Sequence, residues 1–148
     1  EKKIAYDDLG DLNHLSPEEM VDVIGNKFLE HYKRGKFIVT IGGEHSVSNG
    51  PFRALSGPHH PPITIFQIDA HLDLRDTDED FNPIPFGKYH HSTVMRRAHE
   101  LGFNLVPIGI RLYSESELDY AKKNNIKISI NLKYLVQIFA FFFFLKRN

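Results

Sequence analysis

The chain has no cysteine, so no disulfide can staple it and any bound metal must take histidine and carboxylate ligands. The same absence fits a cytoplasmic setting. Charge of one sign is lacking too. Eighteen Lys and Arg against 19 Asp and Glu leave a formal net charge of −1, which gives no argument for nucleic acid or an acidic membrane surface as a partner. The first residues, Glu1-Lys2-Lys3-Ile4-Ala5-Tyr6-Asp7-Asp8, lack the apolar core of a signal peptide. The longest apolar stretch, Gln137 to Leu145 with its Phe141–Phe144 run, falls short of the ~20 residues that a membrane-spanning helix needs. No internal repeat is visible.

What remains is ordinary in bulk: 148 residues, 41% hydrophobic and 25% charged, the profile of one globular domain with a real core. Nine histidines are many for that length. Ser16-Pro17-Glu18-Glu19 predicts a helix start, with a capping Ser, Pro at the first helical position and Glu three residues after the cap. Met20, Ile24 and Phe28, joined by Val21 and Tyr32, continue it as an apolar stripe, and Gly35 stops it. Phe37-Ile38-Val39-Thr40-Ile41 is expected as a short buried strand, closed by Gly42-Gly43. A helix is expected over 46–56, with Pro51 tolerated only near its first turn.

Ile63-Thr64-Ile65-Phe66-Gln67-Ile68 has the β-branched character of a second buried strand. An acidic loop without periodicity follows, Asp76 to Tyr89. Helices over 92–101 and 114–124 and strands over 105–110 and 126–130 complete the reading. Strands alternating with helices predict βαβ units and a parallel sheet, whose sites lie beyond the carboxyl ends of the strands.

Two motifs fall there. Asp69, His71 and Asp73 alternate directly after the second strand, so in an extended chain all three side chains would share a face. Gly42-Gly43-Glu44-His45-Ser46 turns tightly after the first strand and presents His45. Neighbouring strands lie about 5 Å apart, close enough for His45, Asp69, His71 and Asp73 to converge. Carboxylate oxygens with two imidazoles suit manganese, iron or zinc better than calcium. Two such ions roughly 3.5–4 Å apart would lower the pKa of a shared water. The bland alternative is that Asp69 and Asp73 cap a helix or pair with Arg75.

Taken in order, Ile41-Gly42-Gly43-Glu44-His45-Ser46, Asp69-Ala70-His71-Leu72-Asp73-Leu74-Arg75-Asp76, His91-Ser92-Thr93-Val94-Met95-Arg96-Arg97 and Ile108-Gly109-Ile110-Arg111 closely resemble the ureohydrolases, the arginase–agmatinase family, and within it the bacterial-type agmatinases. Asp8-Leu9-Gly10-Asp11 also resembles a segment of that family. The resemblance implies an α/β, arginase-like three-layer fold with a mainly parallel sheet. It further implies a centre of two Mn2+ ions held by His45, Asp69, His71 and Asp73, with Asp69 bridging. His91 falls on the family's active-site histidine, which contacts substrate and shuttles protons. The implied reaction is hydrolysis of a small guanidinium substrate, agmatine giving putrescine and urea, in a cytoplasmic homo-oligomer. His59, His60, His90 and His99 gain no such support and are expected to be solvated. The acidic loop residues Asp76, Asp78, Glu79 and Asp80 would favour a dication over arginine.

The chain departs from the family after about residue 128. The family closes its metal site with Ser-x-Asp-x-Asp-x-x-Asp-Pro; the nearest match, Ser129 to Gln137, puts Asn131 and Lys133 in the ligand positions. Residues 1–128 are therefore expected to form part of a ureohydrolase domain, with 129–148 a divergent apolar tail. With these carboxylates absent, weak metal binding and little turnover are expected of this chain by itself. Guanidinobutyrase, arginase and formiminoglutamase are alternative activities. A catalytically dead homologue, binding a partner through Phe141–Phe144, is the alternative of a different kind.

Overall fold

The computed structural model describes residue 10 and residues 15–57, 62–78 and 87–128. Helix α1 spans Pro17–Lys33. The Ser16 hydroxyl accepts from the Glu19 amide while the Glu19 carboxylate accepts from the Ser16 amide, so the capping box read from the sequence is made. Val21, Ile24 and Phe28 are its buried face. A 3₁₀ turn, His45–Ser48, leads into helix α2, Asn49–Leu55, which carries Pro51 in its first turn as expected. The α1 and α2 backbones approach closely at Gly50, where a Cβ would lie 2.7 Å from Ile24 side-chain atoms.

Strand β1, Thr64–Ile68, pairs in parallel with β2, Asn104–Ile108, in the register Ile65 to Leu105. Between them in sequence, a second 3₁₀ turn, His91–Thr93, opens helix α3, Val94–Glu100. Helix α4, Glu115–Lys123, follows β2 with its own capping box from Ser114 and Glu117. The alternation of strand and helix and the parallel pairing are thus as the sequence predicts. Phe52, Leu55, Ile65, Leu72, Leu74, Val94, Met95 and Ile110 form the core between the helices and one face of the sheet.

Three expectations are corrected. Residues 37–41 lie outside the sheet, and Phe37, Val39 and Ile41 are exposed, Ile41 at 92%. A strand exists only where its amides and carbonyls find a ladder, and among the described residues only β1 and β2 pair. β1 itself is buried on one face only: Ile65 and Gln67 point inward, whereas Phe66 is 49% exposed. Residues 126–128 form no strand; Ile126 and Ile128 instead pack against the core. Residues 129 and 130, the apolar tail, the Asn131–Lys133 segment, His59 and His60 lie outside the described residues.

Candidate metal centre

The chain leaves β1 at Ile68 and is held by backbone bonds on both sides for seven residues. The Asp69 amide donates to the Ile108 carbonyl, and Ala70 accepts from the amides of Arg111 and Leu112. The Leu72 amide donates to Leu112, and the Arg75 amide to Ser92. Asp73 sits among these with φ of 55°, a left-handed conformation that Asp tolerates better than most residues. Its carbonyl accepts from the amides of Met95 and Arg96 in the first turn of α3. The Leu74 amide donates to the buried Glu117 carboxylate, which also accepts from the Ser114 amide and hydroxyl. The site strand end is therefore pinned to β2, α3 and α4 together.

On the other side, the loop after residue 41 folds onto Val47. A Cβ on Gly42 would lie 2.6 Å from a Val47 methyl, so only glycine permits the turn that brings His45 inward. His45 Nδ1 lies 2.7 Å from Asp73 Oδ2 and 3.5 Å from Asp69 Oδ2. Ligand atoms of His45, Asp69 and Asp73 all fall within 4.8 Å of one another. Burial raises the Asp73 carboxyl above its ordinary range, with the His45 hydrogen bond pulling the other way. One imidazole and two carboxylates, nearly buried and converging, are a donor set that fits a first-row dication.

His71 stands differently from the expected single face. Its side chain is 59% exposed, against 17% for Asp69 and 7% for Asp73. It still approaches Asp69, but from the other side: His71 Nδ1 is 3.5 Å from Asp69 Oδ1. Asp69 thus turns Oδ2 to His45 and Oδ1 to His71. The Asp73 side chain faces His45, and its backbone carbonyl accepts from the first turn of α3.

His91 opens the second 3₁₀ turn and approaches the Glu44–His45 loop, its Nδ1 3.7 Å from Glu44 Oε2. It is not in the three-residue group. His90 and His99 are not solvated as expected. His90 is buried and caps the His91 turn, and His99 Nδ1 hydrogen-bonds the Tyr120 hydroxyl at 2.7 Å. The acidic loop is also committed elsewhere. Asp76 pairs with Arg96 and Arg97, and Asp78 is fully buried, 4.0 Å from His90 Nε2; Glu79 and Asp80 lie outside the described residues. Two residues escaped sequence reasoning. Glu117 carried a signal, its place three residues after Ser114. Gln67 carried none: it is buried on the inward face of β1, where its amide donates to the His71 carbonyl at 2.9 Å.

The family model described as the arginase family matches residues 1–132. An N(1)-aminopropylagmatine ureohydrolase of Synechocystis sp. is 38% identical over 115 residues, covering 77% of this chain and 35% of its own length. An agmatinase of Bacillus subtilis is 34% identical over 134 residues, covering 82% of this chain and 44% of its own. The chain thus spans less than half the length of these curated relatives. Among solved structures, the agmatine ureohydrolase of Thermoplasma volcanium aligns with a TM-score of 0.59 at 33% identity, over 75% of this chain and 36% of that one. The arginase of Bacillus cereus aligns at 0.61 and 22% identity, over 76% and 42%, a likeness of fold. The order of motifs, the pinned strand end and the shared fold agree with that match, and the chain belongs to the arginase family.

Proposed function

We propose that this chain carries part of the active centre of an agmatinase-type ureohydrolase, which hydrolyses agmatine to putrescine and urea with two Mn2+ ions. The observation that carries the reading is the meeting of His45, Asp69 and Asp73 at the carboxyl end of β1. His45, Asp69, His71 and Asp73 are the residues that would hold the ions. When bound, the ions supply a water of lowered pKa for attack on the guanidinium carbon. His91, beside Glu44, contacts the substrate and passes a proton to the leaving amine. Glu117, Gln67 and the α3 amides fix the ligand-bearing backbone, which keeps the donors in place before metal arrives.

A second substrate is favoured by the 38% identical relative, whose name gives N(1)-aminopropylagmatine. Both molecules present the same guanidinium to the centre and differ only at the amine end. Homo-oligomeric assembly belongs to the same reading.

Urea release measured with Mn2+ and agmatine, aminopropylagmatine or arginine tests it. Weak, chelator-sensitive release from one of the two polyamine substrates is expected, lost in His45→Ala. Release that survives His45→Ala, or none from either substrate, overturns the reading.

A further inference from the structure

His90 is the neighbour of the proposed active-site histidine, yet its surroundings are those of a core residue. Its side chain is 8% exposed, against 56% for His91. The His90 Nδ1 accepts from the Ser92 amide at 3.3 Å and meets the Ser92 hydroxyl at 2.9 Å. That assigns its proton to Nε2, which faces the fully buried Asp78 carboxylate at 4.0 Å. The turn around it is closed as well. The His90 amide donates to Thr93 Oγ1 at 3.1 Å, and the Thr93 hydroxyl donates to the Lys88 carbonyl at 2.8 Å. Against this fixed ring lies His91, with ring centroids 3.7 Å apart and planes at 40°. His91 meets Glu44 only across 3.7 Å, too far for a hydrogen bond to orient it.

We propose that His90, buried and held by its hydrogen bonds to Ser92, is a positioning residue that sets the His91 ring by packing beneath it. An exposed histidine side chain otherwise samples several rotamers. A rigid aromatic floor removes that freedom before substrate arrives, which is where orientation contributes to rate. Burial, and then the neighbouring His91, hold His90 below the ordinary histidine range. That favours the neutral form of the His90 ring. The inference rests on the reading of His91 as the substrate-contacting histidine.

Two variants separate the ring from the cap. His90→Asn keeps a side-chain acceptor for the Ser92 amide and removes the ring; His90→Phe keeps a ring and removes the acceptor. The His91 imidazole proton shifts are read by NMR on the metal-free full chain, with core methyl signals as the fold control. In His90→Asn the His91 protons are expected to move to the values of an unstacked imidazole; in His90→Phe they stay near the parent's. Where both variants turn over agmatine, kcat falls ~10-fold in His90→Asn with KM within about twofold, and His90→Phe recovers most of it. Unchanged His91 shifts in a folded His90→Asn overturn the proposal. If His90→Asn fails to fold, loss of the stacked shifts in His90→Phe overturns it instead. Absence of turnover in the parent chain counts against the hydrolase reading alone, because the His91 shifts still decide this one.

Discussion

Two segments of this chain have nearly the same β-forming composition and opposite fates. Thr64-Ile65-Phe66-Gln67-Ile68 pairs with β2 and sends Ile65 into the core; Phe37-Ile38-Val39-Thr40-Ile41 lies outside the sheet with three large apolar side chains exposed. The difference is not propensity, since both runs are β-branched and aromatic. It is the ladder: β1 finds one, and 37–41 finds none among the described residues. The functional consequences differ as well. The exit from β1 is tied by backbone bonds to β2 and α3 and through the Glu117 carboxylate to α4, and it carries two converging carboxylates. The exit from 37–41 reaches the same place through the Gly42 turn and the packing of Val47, without a strand to guide it.

The sharpest way to break this comparison is to truncate matched isoleucines. Ile65→Ala is expected to destabilise the chain by about 2–5 kcal/mol, the usual cost of emptying a buried aliphatic site. Ile41→Ala should cost within about 0.5 kcal/mol. Urea denaturation measures both, and equal losses would mean that 37–41 is packed after all. Asp73→Asn tests the site end of the comparison. The left-handed backbone accepts Asn, so the metal-free fold should persist while Mn2+ affinity drops by at least ~10-fold in a calorimetric titration. Collapse of the metal-free fold would show that Asp73 serves structure rather than a cation.

A smaller effect probes how α4 holds the strand end. Ser114→Ala removes the cap shared with Glu117 and should cost about 1 kcal/mol in thermal unfolding. The smallest concerns pH. Asp76 is held below its ordinary carboxylate range, by the Arg97 hydrogen bond first and by the charge of Arg96 and Arg97 beyond it. A depressed native pKa means that its stabilisation is present above the unfolded value and is lost as pH falls through the native one. Asp76→Asn should therefore flatten the acid limb of the stability profile slightly and leave neutral pH little changed. The exposure of Asp76 keeps this contribution small. A profile identical to the parent's would show that the Arg pair adds nothing.

Much of this was legible in advance. The α1 cap and stripe, Pro51 in the first turn of α2, α3, α4 and the parallel pair all follow from local rules of capping and periodicity. His45, Asp69 and Asp73 were legible as one group because glycines and strand ends put ligands at predictable places. His71 was legible as a ligand type but not in its exposure, which depends on what packs against the chain after it leaves β1. His90 misled for a related reason: a histidine beside a motif reads as surface until Asp78 is seen against it.

By itself the sequence determined what is local or chemical: which stretches cap and coil, which residues have the donors for a dication, and which family order they follow. Only the tertiary structure decided which apolar run becomes a strand, which oxygen of Asp69 faces which histidine, and that His90 lies beneath His91. The reason is physical. Capping and periodicity act over three or four residues, whereas ladder partners, burial and ring contacts depend on segments that meet only after the chain has folded.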